Sequence, residues 1–407
     1  MILLFVAVVA DSQQVWTVYN TVNSPIPDNG INALYIDSLN HKWVGTANGL
    51  TVYDDATWTQ YNTLNSGLSG DLVKAIARDR SGNMWFGTQD GLNKFDGTNW
   101  THWNMANSNL PADMVQCIAF DTAGKTWCGT NNGLARLDSG TTFTFWNVNN
   151  SVLVSGNITS IAIGPDNIKC FGALNQGLAY YNDTTFTIYN NINSSLQDNS
   201  ILAVLRDTLG TMWVGTPGKA LQAHYPDTTW GWWCPTNSSC PTWTVNCIYI
   251  DSVPNTKYLG GQVAGLVKWD GANSWNYWST FNSGIPDNNV MSIAHDHNGF
   301  YWVGTSNGLA KFDENLWLGM AKRDLSVGTN IYPNPALDFI SINISVSSNT
   351  KYNLKIYDVF GRIFWEKQGV DKKELSYISL TNFKDGIYFC ELRGVDGTTA
   401  LKKFVVQ

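Results

Sequence analysis

The chain has 407 residues, with 25 Lys and Arg against 32 Asp and Glu, a net charge of −7, and an aromatic, glycine-rich composition of 19 Trp, 17 Tyr, 17 Phe and 36 Gly. Charged residues make up 14 %, against roughly 25 % in ordinary soluble domains, so Asn, Ser and Thr carry the surface polarity. The length predicts two folded units rather than one core. Residues 318–407 hold 12 basic and 9 acidic residues, which leaves 13 and 23 for residues 1–317; a part of the chain near −10 lacks the basic stripe that a nucleic-acid backbone requires.

In chain order, residues 1–14 open with the apolar run Met1 to Ala10, which reads as a secretory signal with a small residue before the cut and a truncated, leaderless start. The run is too short to cross a bilayer as a helix, and no later stretch is long and apolar enough. The sequence therefore predicts export without a transmembrane helix.

A short aromatic strand, Trp16-Thr17-Val18-Tyr19, comes next, followed by a tag written seven times: Trp43-Val44-Gly45-Thr46, Trp85-Phe86-Gly87-Thr88, Trp127-Cys128-Gly129-Thr130, Cys170-Phe171-Gly172-Ala173, Trp213-Val214-Gly215-Thr216, Tyr258-Leu259-Gly260-Gly261 and Trp302-Val303-Gly304-Thr305. Its glycines are spaced by 42, 42, 43, 43, 45 and 44 residues, a period at which four short strands make one propeller blade. Residues 58–99 show the unit: an aromatic strand 58–61, a polar loop, strands at 72–78 and 83–88, an Asp-Gly hairpin turn and a strand 92–95. The expected fold is all-β, with residues 15–317 forming a seven-bladed propeller of four-stranded antiparallel blades. Strand 16–19 precedes the first inner strand and has no blade of its own. It is expected to pair beside Leu309-Ala310-Lys311-Phe312 and close the ring, in competition with Trp317-Leu318.

The cysteines follow the repeat rather than a metal pattern. Cys117 and Cys247 share a column with Ala33, Ala75, Ser160, Ala203 and Ser292; Cys128 aligns with Val44, and Cys170 replaces a Trp. Cys234 and Cys240 bracket a loop of the sixth repeat that reads as having no counterpart elsewhere, and a local disulfide is expected there. The five histidines do not converge, since His295 and His297 align with Arg78 and Arg80. No cofactor, metal or catalytic residue is expected.

Residues 318–330 carry no periodic pattern and read as a linker. Residues 331–407 alternate in short runs split by Asn, Gly and Asp, the pattern of a small antiparallel β-sandwich.

The Trp-x-Gly-Thr-x-x-Gly-Leu tag, followed by Phe-Asp-Gly and the next Trp, resembles the two-component-regulator propeller repeat known from periplasmic sensors of Bacteroidetes-type bacteria. Those sensors continue into a membrane helix and a histidine kinase, which this sequence is not expected to do, so a signalling role is not expected to be inherited with the repeat. Ile331-Tyr332-Pro333-Asn334-Pro335-Ala336, Leu354 to Arg362, Asp385-Gly386-Ile387-Tyr388-Phe389 and the closing Leu401 to Val406 resemble a type IX secretion C-terminal sorting domain. That resemblance implies recognition by the outer-membrane export machinery through residues 331–407 and a secreted, surface-attached location.

Alternating strand direction puts the long loops and the Asn-Gly hairpins on one face and the Asp-x-x-Gly and Phe-Asp-Gly turns on the other. Binding groups collect on loops held by a rigid scaffold, so Asn29, Asp71, Asp113, Asn199 and Asn288 are candidate ligand contacts, with capping of loops and strand starts as their structural alternative. Trp243 and Trp232 lie outside the Trp-x-x-Tyr pattern, and an indole offers a flat apolar face with one N–H for a sugar ring; packing on their own loop is the alternative. Three functions fit: a non-catalytic surface propeller binding a glycan or a protein, an extracellular lyase or hydrolase acting at the channel mouth, and a structural adhesin or matrix protein. Fold alone does not choose among them.

Overall fold

A computed structural model of the chain describes residues 15–251, 256–271, 274–314, 329–344, 352–358, 363–371, 375, 377–394 and 399–407. The chain divides into two compact units, Met1–Glu314 and Asn315–Gln407. The expected signal segment, Trp317-Leu318 and residues 318–328 of the expected linker lie outside the described residues. Residues 329 and 330, read as linker from the sequence, open a strand.

The first unit is seven four-stranded antiparallel sheets. The first blade is β2 (Ile31–Ile36), β3 (Lys42–Thr46), β4 (Gly49–Tyr53) and β5 (Trp58–Tyr61). Blades two to six follow the same order: β6–β9 between Val73 and Trp103, β10–β13 between Val115 and Trp146, β14–β17 between Ile158 and Tyr189, β18–β21 between Ala203 and Trp233, and β22–β25 between Val245 and Trp278. The seventh is β26 (Val290–His295), β27 (Tyr301–Thr305), β28 (Gly308–Phe312) and, from the start of the chain, β1 (Trp16–Tyr19). Strand β1 runs antiparallel to β28 with Trp16 opposite Phe312 and Tyr19 opposite Leu309.

The tag residues occupy the second strand of each blade, and β3 and β27 are buried at every position, as a strand covered on both faces must be. The tag glycine is where the next blade lands. A Cβ on Gly87 would stand 2.7 Å from the Val115 carbonyl oxygen, and one on Gly45 2.7 Å from Val73 Cγ1. A Cβ on Gly304, in the last blade, would stand 2.6 Å from Ile31 Cγ2 of the first. The seventh blade thus packs on the first as each blade packs on the next.

A second repeated device is the carboxylate that receives the tag Trp. Asp37 accepts from the Trp43 indole N–H at 3.0 Å, Asp79 from Trp85 at 2.9 Å, Asp121 from Trp127 at 3.0 Å, Asp207 from Trp213 at 2.8 Å and Asp296 from Trp302 at 2.8 Å. The other oxygen accepts backbone N–H groups of the turn, as Asp37 does from Leu39 and His41. In the fourth blade Gly164 and Cys170 stand in place of the Asp and the Trp together, which leaves neither partner buried alone. Buried lysines join some blades: Lys42 Nζ, fully buried, lies 2.5 Å from Asp55, 3.7 Å from Asp296 and 5.3 Å above the Trp302 ring of the seventh blade.

The second unit pairs β29 (Thr329–Tyr332), β30 (Phe339–Ile344) and β33 (Ile378–Ser379) in one sheet. The other sheet is β32 (Ile363–Val370), β31 (Tyr352–Tyr357), β34 (Gly386–Gly394) and β35 (Thr399–Val406), in that order. Ile340 and Ile342 from the first sheet share a core with Leu354, Ile356, Cys390 and Phe404 from the second, so the unit is an antiparallel β-sandwich.

Candidate functional site

The loop entering each blade is one motif, reading Asn20-Thr-Val-Asn-Ser24, Asn62 to Ser66, Asn104 to Ser108, Asn147 to Ser151, Asn190 to Ser194, Cys234 to Ser238 and Ser279 to Ser283. In the first, Asn20 Oδ1 accepts the Val22 N–H at 2.9 Å, Asn23 Oδ1 accepts the Asn20 N–H at 2.8 Å, and Ser24 Oγ donates to the Asn20 carbonyl at 2.7 Å. The fourth and fifth residues make the same bonds in the sixth-repeat loop, where Asn237 Oδ1 accepts the Cys234 N–H at 2.8 Å and Ser238 Oγ donates to the Cys234 carbonyl at 3.0 Å. Asn and Ser recur because short polar side chains can close such turns on their own backbone.

The repetition corrects the reading of Cys234 and Cys240. Cys234 occupies the Asn20 column, and Cys240 occupies the buried apolar column of Ile26, Leu68, Leu110, Leu153, Leu196 and Ile285. The loop has a counterpart in every blade, and its two cysteines are free thiols rather than the expected disulfide. Cys240 Sγ points at the Thr242 carbonyl at 3.5 Å, and Cys234 Sγ lies 3.0 Å from the Thr236 hydroxyl. Burial pushes the Cys240 thiol up to about 11. Burial likewise raises Cys234, but the Thr236 hydroxyl and nearby N–H groups outweigh it and hold that thiol below its ordinary value.

The five polar candidates sit in one column and serve the loop. Asn29 Oδ1 accepts the Thr21 N–H at 2.9 Å, Asp71 the Thr63 N–H at 2.8 Å, Asp113 the Met105 N–H at 2.7 Å, Asn199 the Asn191 N–H at 2.8 Å and Asn288 the Thr280 N–H at 2.7 Å. Their carbonyls bind the neighbouring hairpin, as Asn29 O does the Gly308 N–H at 2.7 Å and Asp71 O the Gly49 N–H at 2.8 Å.

Trp243 is the member of this column in the sixth repeat, since its carbonyl accepts the Ala220 N–H at 2.8 Å in the same way. The residue eight positions before it is Pro235, which has no N–H to be received. The capping acceptor and its donor are therefore missing together, and the indole is left 46 % exposed on the loop face. Trp232, 36 % exposed, lies instead in the outer strand Trp230–Trp233, in a column with Gln60, His102 and Tyr277.

A feature missed from the sequence lies in the inner strands. Six of them carry a register shift around the residue after the first apolar one, for example between Val115 and Cys117 and between Val245 and Cys247. A bulge re-aims its side chain: Gln116 Nε2 donates to the Ile158 carbonyl at 3.2 Å, Thr159 Oγ1 to the Ile201 carbonyl at 2.6 Å and Asn246 Nδ2 to the Val290 carbonyl at 3.0 Å. These polar residues tie one blade to the next.

On the opposite face, the sixth blade departs from the Asp–Trp device. Tyr258 replaces the Trp and donates to Glu314 Oε2 at 2.6 Å, Lys268 pairs with the other oxygen of Glu314, and the Tyr301 hydroxyl donates to Asp251 at 3.1 Å. His295 stacks near Tyr301, with ring centroids 4.4 Å apart. Burial raises the Tyr258 and Tyr301 hydroxyls, and it pushes Tyr249 up to about 12. The phenols remain protonated donors and both carboxylates have partners, so the cluster anchors the end of the propeller chain.

Family models match in both units. A two component regulator propeller model matches residues 67–90, 195–218 and 284–307, and a secretion system C-terminal sorting domain model matches residues 330–407. No curated protein matches the chain. Among solved structures, the extracellular domain of BT3049 from B. thetaiotaomicron is similar with a TM-score of 0.66 at 18 % identity, over 97 % of this chain and 57 % of that one. PorZ of Porphyromonas gingivalis, a surface component of the type-IX secretion system, gives 0.55 at 17 % identity, over 95 % and 61 %. Virginiamycin B lyase from Staphylococcus aureus gives 0.59 at 13 % identity, over 73 % and 98 %. The chain thus spans about three-fifths of the length of the first two, and identities this low show the shared propeller fold alone. The chain carries two-component-regulator propeller repeats followed by a type IX secretion sorting domain, and it is a propeller protein secreted to the cell surface or outer membrane.

Proposed function

We propose that the propeller is a non-catalytic surface receptor that binds a glycan on its loop face, with Trp243 as the stacking platform. One observation carries this reading. In a column whose other members are Asn, Asp or Gly, the sixth repeat places an indole that is 46 % exposed, and the loop closes without its side chain. An exposed indole that the fold does not use offers an apolar face to a sugar ring and an N–H to its hydroxyls. The acidic, lysine-poor composition of the unit favours a neutral chain over a polyanionic one.

The test is a polysaccharide panel presented to the full chain, read by affinity electrophoresis and calorimetry. Wild type is expected to retain one neutral glycan class, and Trp243→Ala to weaken that binding by about tenfold or more with an unchanged melting temperature. Silence across the panel, together with conversion of a substrate by the chain, would replace this reading with the enzymatic one.

A further inference from the structure

We propose that the loop face also docks on a zwitterionic lipid surface through apolar side chains at its loop tips. This goes beyond the glycan reading and rests on other residues. In each of the seven loops ending in Asn-Ser the third residue stands at the tip, and four loops place a large apolar side chain there. Val22 is 92 % exposed, Leu64 94 %, Ile192 89 % and Phe281 98 %. Other loops add Met105 at 59 % and Val154 at 72 %. The turn does not demand apolar residues, because Asn149 and Thr236 hold the same tip position. On the opposite face, the large apolar residues exposed to this degree among the described residues are Leu39 and Leu209.

The occupant follows from three properties of the tips. The loops share one hydrogen-bond pattern, which sets their tips at a common height around the ring, so a flat partner meets them together. Val, Leu and Ile carry neither a π face nor a polar atom, so sugar stacking does not account for them, whereas hydrocarbon receives such side chains at an interface. The loops also hold Asp28, Asp71, Asp113, Asp198 and Asp287. A second copy set face to face would oppose like charges, and anionic headgroups would be repelled.

The experiment is flotation of the full chain with phosphatidylcholine vesicles at physiological and at molar salt. Wild type is expected to float at both, and the Leu64→Ser/Ile192→Ser/Phe281→Ser variant to lose about tenfold or more of its partitioning. That variant should melt with wild type, because the exposed tips support no core. The proposal is overturned if wild type stays in the dense fractions, if the triple variant floats equally, if binding requires anionic lipid and vanishes at molar salt, or if the tips are instead buried in a dimer that the variant dissolves. Trp243→Ala separates the two readings: it should weaken glycan binding about tenfold or more while the vesicle-bound fraction stays above that of the triple variant.

Discussion

The indole of Trp16 stacks on the ring of Phe312 with centroids 4.4 Å apart and planes inclined by 18°, joining the first described strand of the propeller to its last. Trp16 is 8 % exposed, and β1 is the outer strand of the blade that packs on the first through Gly304 and Ile31. Removing the indole leaves a cavity at the seam and loosens the strand that covers β28. Trp16→Ala is expected to lower the stability of the first unit by about 3–5 kcal/mol, read from the urea unfolding midpoint. A change below about 1 kcal/mol would show that β1 does not hold the ring closed.

Gly87 tests whether tag glycines set the distance between blades. A methyl group there meets the backbone oxygen of Val115 at 2.7 Å and that residue's Cγ1 at 2.8 Å, and a backbone oxygen cannot swing aside as a side-chain tip can. Gly87→Ala should destabilise by about 1–3 kcal/mol through overpacking. Thermal unfolding checks this, with Gly97→Ala as a comparison at a turn where a Cβ has nothing within 4 Å. Gly97 has a φ of 100°, so its cost would come from backbone strain and not from contact between blades.

Two of the Asp–Trp devices, those of Asp37 and Asp79, make stability depend on pH. Burial raises Asp37, but the Trp43 indole and the N–H groups of His41 and Leu39 outweigh it; Asp79 is likewise held low by Asn83 and Trp85 against burial. A carboxylate whose folded pKa lies below its unfolded value stabilises the fold fully above the unfolded value, about 3.9, and loses that contribution as pH falls through the folded one. Stability should therefore decline below about pH 4. Asp79→Asn is expected to be less stable than wild type at neutral pH and to lose less on acidification, so that the two curves converge near about pH 2. Parallel curves across that range would remove Asp79 from the account.

Cys234 and Cys240 stand where the other loops use Asn or Ser and Leu or Ile, so Cys234→Asn/Cys240→Leu should be accepted by sites already shaped for those residues. The new Asn supplies the acceptor that Asn20 uses for Val22, and the expected outcome is a gain of about 0.5–1 kcal/mol in unfolding free energy. A loss of more than about 2 kcal/mol would mean that the thiols contribute something the repeat does not explain.

The sixth repeat marks the limit of reading by column. Trp243 aligns with Asn29 once Asn237-Ser238 is matched to Asn23-Ser24 and Val245 to Ile31. Cys234 and Pro235 replace the usual first two residues of the loop, which masks that match in the sequence. The polar candidates Asn29, Asp71, Asp113, Asn199 and Asn288 repeat because each caps a loop. A residue with a private role breaks its column, as Trp243 does.

The sequence by itself determined the number of blades, the strand order within them and the character of the tail. A period near 43 residues and a glycine at each blade contact are local and repeated, so they survive without coordinates. Only the tertiary structure decided which carboxylates hold indoles, which thiols lie buried apart from any bridge, and which apolar side chains end at the tips of a shared face. Those properties depend on which groups the fold brings together, from Asp37 and Trp43 at the two ends of one turn to Gln116 at the Ile158 carbonyl of the next blade and Lys42 beside Asp296 from opposite ends of the propeller, and burial and hydrogen bonding arise only when the strands and blades meet.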